Sequence, residues 1–139
     1  MRRHGSMTLA QAAALAVYLA AFAVASFFHA SDIVSWGLFP YDHAPRWINV
    51  FWTSLTLLDP LVIALLVAGR RRLGLALAAL VMAADVTVNS YAFFVLDFSA
   101  SPGSLLLQGA FLGFVLGSLP FLWPERAGGR TTQRGTGKR

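Results

Sequence analysis

Apolar residues fall in four long runs separated by polar, proline-bearing or glycine-bearing breaks. Each run holds about 20 residues, enough to cross a ~30 Å hydrocarbon core as a helix. The pattern predicts helices over about 8–28, 47–69, 73–95 and 104–123, an all-α fold with one four-helix membrane domain over 1–124. The first break, residues 29–46, carries Gly37, Pro40 and Pro45 and reads as an interfacial loop, with Trp36, Tyr41, Trp47 and Trp52 as its aromatic belt. Arg70-Arg71-Arg72 makes the second break, and Leu96 to Gly103 the third. Residues 125–139 are polar, glycine-rich and basic, a composition expected to be disordered. Ala23-Val24-Ala25 before Ser26 resembles a signal-peptidase site, but the run is long for a signal segment, and its removal would leave an odd number of spans.

Polar residues inside the runs keep helical register. Asn49, Thr53 and Thr56 recur at i, i+4 and i+7 on the second helix, with Asp59 three residues further. On the third helix Asp85 and Asn89 are four apart, with Met82 below them. Asp59 is twelve residues on from Trp47 and Asp85 twelve on from Leu73, so both lie about 18 Å into their spans, close to mid-depth. A tight turn makes these helices antiparallel neighbours, and the two carboxylates can then face each other. Tyr18 reaches a similar depth from the first helix, and Gln108 lies near the depth of Asn89 on the fourth. The expected site is a cavity floored by Asp59, Asp85 and Tyr18, walled by Thr56 and Asn89 and roofed by Gln108, with His29 or Asp32 at the mouth. Pro60 lacks the donor that would bond the Thr56 carbonyl and so frees an acceptor beside Asp59.

Charge supplies the orientation. Of the eleven Lys and Arg residues, ten fall at the amino terminus, in the second break or in the tail, and Arg46 alone falls elsewhere. The positive-inside rule then puts both termini in the cytoplasm and the Asp-bearing breaks outside, a multi-pass arrangement expected of a bacterial inner (cytoplasmic) membrane. With 57% hydrophobic and 12% charged residues, the net charge of +5 marks topology and anionic lipid rather than nucleic acid. The chain has no cysteine, which excludes disulfides, iron–sulfur clusters and thiolate zinc sites. His29, His43 and Asp42 do not fall at ligand spacing within one helix, so no metal or other cofactor is expected. Hydrolase, P-loop, dinucleotide and zincin signatures are absent. Gly109, Gly113 and Gly117 form a double G-x-x-x-G that predicts close packing of the fourth helix, against the alanine-rich first helix or against a second copy in a homodimer.

Four spans, Ala44-Pro45-Arg46-Trp47 opening the second helix, Asp32 near the outer end of the first, and Pro60 and Pro120 inside the second and fourth together resemble the EXPERA-domain family. That family includes emopamil-binding protein, a sterol isomerase, and the sigma-two receptor. The resemblance implies a four- or five-helix fold binding sterols or cationic amphiphilic amines in an acid-lined interior, with Asp32 and Asp59 as ligand-facing acids. The sequence departs from the family where its second-helix glutamate would fall on Ser54, and its first loop is much shorter.

Two carboxylates sharing an apolar interior would not both ionise; they share a proton or hold a cation. The chain thus reads as a binding protein for a hydrophobic or cationic amphiphilic small molecule, its ligand set Asp59, Asp85, Asn89, Thr56, Tyr18, Gln108 and Asp32. Were it an enzyme, Asp59 and Asp85 would serve as acid and base in an isomerase-like proton transfer. The competing readings are a dimeric proton- or cation-coupled transporter and an accessory subunit of a membrane complex whose acids only lock helix register.

Overall fold

A computed structural model describes residues 7–98 and 101–124, and the basic tail and the amino-terminal arginines lie outside them. Four helices make up the described chain: α1 (Leu9–Trp36), α2 (Arg46–Val67), α3 (Arg71–Phe94) and α4 (Pro102–Leu122). All four are long and apolar enough to cross a membrane. Each packs on the next in sequence, and α4 closes the ring against α1. One end of the bundle holds Met7, Arg71, Arg72 and Pro124; the other, here called the loop end, holds the connections after α1 and α3.

Local sequence explains the boundaries. Thr8 caps α1 in a reciprocal box with Gln11, whose side-chain amide also donates to the Phe121 carbonyl of α4 at 3.1 Å. α1 does not stop near residue 28 as the polarity pattern suggested, but runs on to Trp36. Residues 29–36 contain neither proline nor glycine, and their polar side chains find partners in the helical state: Ser31 bonds the Phe27 carbonyl, and His29 and Asp32 bond Tyr41. The interfacial loop shrinks accordingly to 37–45. α2 ends in a glycine turn: Gly69, at φ 74°, lets Arg70 N–H reach the Leu65 carbonyl and Gly69 N–H reach Leu66. Ser101 caps α4 by accepting from Ser104 N–H.

Burial is inverted relative to a water-soluble bundle. Large apolar side chains such as Phe27, Leu57, Leu80 and Leu106 face outward, whereas Asn49, Asp59 and Asn89 are buried. Away from the loop end, Tyr18, Phe22, Val62, Leu75, Ala78, Val115 and Leu122 form a closed apolar core. A smaller cluster of Ala44, Ile48 and Ala92 sits under the loops. Polar side chains occupy the layer between.

The α4 glycines do not seat that helix on α1. Gly109, Gly113 and Gly117 all face outward, and a Cβ on any of them would meet nothing within 4 Å. α4 meets α1 instead through larger side chains, Phe111, Val115 and Ser118, on its other face. The glycine that does permit close approach is Gly74 of α3, where a Cβ would fall 2.7 Å from Leu66 Cδ2 on α2.

Candidate functional site

Helical register collects the polar side chains into one layer. On α1 the inward stripe runs Tyr18, Phe22, Ala25, His29, spaced i, i+4, i+7, i+11. On α2, Trp52, Thr56 and Asp59 follow at i, i+4 and i+7, and α3 contributes Asp85 and Asn89, α4 Gln108. A cavity of about 670 Å³ lies between them, lined by Asp59, Asp85, His29 and Gln108 and by an apolar wall that includes Ala21, Ala25, Phe28, Leu55, Leu107 and Phe111. The two acids predicted to face one interior therefore do so.

The cavity has a direction. α1 and α4 touch through Gln11–Phe121 and Tyr18–Val115 on the side away from the loops and through Phe22–Phe111 at mid-helix. Nearer the loop end the cavity wall on these two helices includes Val24, Ala25, Phe28 and Leu107 beside the polar groups. A second cavity of about 480 Å³ sits directly above, lined by His43, Trp52, Asn89, Asp97 and Phe98, and shares His29, Asp85 and Gln108 with the first. The shared lining thus joins the acids to the loop end, and the apolar core lies on their other side.

Asn89 organises the α3 side. Its amide nitrogen donates to Asp85 Oδ1 and to Gln108 Oε1, each at 2.9 Å, and its oxygen accepts from Trp52 Nε1 at 2.7 Å. Every polar atom of that buried amide is used, joining three helices. His29 organises the α1 side: its Nε2 lies 3.8 Å from Asp59 Oδ2, while its Nδ1 lies 3.3 Å from the Tyr41 hydroxyl. Tyr41 donates in turn to Asp32 Oδ2 at 2.6 Å. Burial, reinforced by the Asp32 hydrogen bond and charge, pushes the Tyr41 phenol up, so it keeps its proton and remains a donor.

Three expected site residues, Tyr18, Thr56 and Asp32, line neither cavity. Tyr18 does not line the cavity; it is fully buried, donates to the Val115 carbonyl at 3.0 Å, sits 2.9 Å from Ser118 Oγ and packs edge-on to Phe111. Its role is to clamp α1 to α4. Thr56 is not among the cavity-lining residues, and its buried hydroxyl has no hydrogen-bond partner. Asn49, on the same polar stripe, secures the loop after α1 by accepting from Tyr41 N–H and donating to the Phe39 carbonyl. Asp32 sits beside the outer cavity through Tyr41 rather than in the inner one.

Sequence reasoning placed Trp52 and Tyr41 in an aromatic belt, yet both point inward at the polar layer. The spacing of Trp52 to Asp59, seven residues, was a usable signal for the first. Nothing in the loop sequence marks Tyr41. Trp36 and Trp47 do stay exposed, as a belt requires. No group of residues suited to hold a metal ion occurs among the described residues. Comparison with known proteins finds no matching family model, no matching curated protein and no matching solved structure.

Proposed function

We propose that the chain is an intramembrane binding protein for a cationic amphiphilic small molecule, with both termini cytoplasmic and the open end of the cavity facing outward. One observation carries the reading: Asp59 and Asp85 line a single cavity whose remaining wall is almost wholly apolar. A charged group at mid-membrane costs a few kcal/mol or more, and carboxylates held there mark sites for cations or protons. An ammonium would satisfy the acids while its alkyl chain lies along Ala21, Ala25, Phe28 and Leu107. The volume suits a ligand of drug or lipid-fragment size. The resemblance to the EXPERA-domain family points the same way, and an isomerase-like proton transfer between the two carboxyls is the chemistry the site would support. Membrane lipid surrounds the exposed apolar faces, and the outward glycine face of α4 is the surface on which a second copy would pack.

Binding of dodecyltrimethylammonium to the full chain in nanodiscs, compared with dodecanol, tests the reading. The cation is expected to bind at least tenfold more tightly than the alcohol, with Asp59→Asn and Asp85→Asn each removing most of that preference. Tyr18→Phe, outside the cavity, is expected to leave it unchanged. Equal binding of cation and alcohol, or indifference to both Asn variants, would sink the proposal.

A further inference from the structure

The contact between His29 and Asp59 joins the mid-membrane acid to a chain of proton-bearing groups that leads to the loop end. Tyr41 has one hydroxyl hydrogen, and the 2.6 Å contact commits it to Asp32 Oδ2. The 3.3 Å contact between Tyr41 Oη and His29 Nδ1 must then have Nδ1–H as donor. Neutral His29 accordingly presents the bare lone pair of Nε2 to Asp59, 3.8 Å away. Closing that gap to hydrogen-bond length takes a side-chain shift of about 1 Å or less. The groups Asp59, His29, Tyr41 and Asp32 thus alternate donor and acceptor in one direction.

Among the described residues, Asp85 is the one other acid beside this chain, and it lines both cavities. α1 presents His29 and Asp32 to this chain, the loop presents Tyr41, α2 presents Asp59, and α3 presents Asp85, whose Oδ1 is engaged by Asn89. α4 presents Gln108 and no titratable side chain, and His43 and Asp97 line only the outer cavity. Toward the other end the Tyr18 hydroxyl bonds α4, and Tyr18 is buried with Phe22, Val62 and Val115 in the apolar core.

We propose that His29 is the proton-exchange residue of the site, carrying the proton of Asp59 outward through Tyr41 to Asp32 when a cation takes that proton's place. The Asp59 O–H bond breaks as Nε2–H forms. The Nδ1 proton passes to Tyr41 Oη, whose own proton passes to Asp32 and on to water at the loop end. His29 is left carrying its proton on Nε2, and the reverse passage resets the chain when the cation leaves. The displacement by a cation rests on the binding function proposed above; the relay itself does not.

Infrared spectroscopy of the ligand-free full chain in nanodiscs tests the relay. The protonated-carboxyl band that Asp59→Asn removes is followed after transfer to D2O. Exchange is expected to slow at least tenfold in His29→Gln and in Tyr41→Phe, and imidazole added to His29→Ala is expected to restore it. Wild-type exchange rates in both the His29→Gln and Tyr41→Phe proteins, or absence of any Asp59 carboxyl band between pH 4 and 9, would overturn the proposal. Dodecyltrimethylammonium, which has no proton of its own, then separates the two ideas. Release of about one proton per bound cation, on the loop-end side of sealed vesicles, supports the coupled cycle, and release on the opposite side overturns it. A cation that fails to bind while the band still exchanges through His29 overturns the binding function and leaves the relay standing.

Discussion

Trp52 Nε1 donates to Asn89 Oδ1 at 2.7 Å, and that single bond decides which way the buried Asn89 amide points. With its oxygen turned to α2, the amide nitrogen can reach both Asp85 and Gln108. One indole on α2 therefore orients the polar layer shared by α3 and α4. Replacing Trp52 by Phe leaves the one Asn89 oxygen without its donor and is expected to cost about 1 kcal/mol. Asn89→Leu leaves the indole N–H, Asp85 and Gln108 without their shared partner and is expected to cost about 1–3 kcal/mol. Denaturant unfolding in detergent micelles checks the order; a larger loss in Trp52→Phe than in Asn89→Leu would contradict it.

Two glycines that look alike in sequence should respond in opposite ways to alanine. Gly113 has open space where a Cβ would stand, so Gly113→Ala is expected to stabilise the helix by up to about 1 kcal/mol. Gly74→Ala drives a Cβ against Leu66, including its backbone nitrogen at 3.2 Å, and is expected to destabilise by about 1–3 kcal/mol. Thermal unfolding midpoints of the two variants read the sign directly.

Tyr41 makes stability pH-dependent in the alkaline range. Its phenol is raised in the folded state above the ordinary value of 10.0, first by burial and then by Asp32. A raised folded value means the contribution is fully present below about pH 10 and shrinks as the unfolded chain loses its phenol proton first. The stability difference between the native chain and Tyr41→Phe is accordingly expected to stay constant from pH 6 to 9 and to narrow above about pH 10. Melting of both proteins across that range is the measurement, and a difference that widens with pH would refute the assignment.

The legible part of this protein was its hydrophobic periodicity. Four apolar runs bounded by charge and by helix-breaking residues determine four membrane-length helices, because a run of about 20 apolar residues pairs all its backbone groups within itself only as a helix. Depth was legible as well: counting residues from the break before each run put Asp59 and Asp85 at one level, and one cavity holds both. The continuation of α1 past residue 28 was hidden. Polar side chains there signal a loop until Tyr41, nine residues beyond Asp32, folds back to bond Asp32 and lies within reach of His29.

Which face of each helix meets which neighbour lay beyond the sequence. Three glycines at four-residue spacing permit close packing but do not name the partner, and the larger side chains on the other face of α4 took the contact with α1. Tyr18 lies on the α1 stripe that leads to His29, yet its hydroxyl went to Val115 and Ser118 of α4 in the apolar core. The sequence by itself determined the number of helices, their approximate positions and the level of the acids, all of which follow from local periodicity and solvation. Only the tertiary structure decided the Asn89 hub, the His29 contact and the one-sided cavity, because each joins residues from different helices whose relative rotation is settled by side-chain packing.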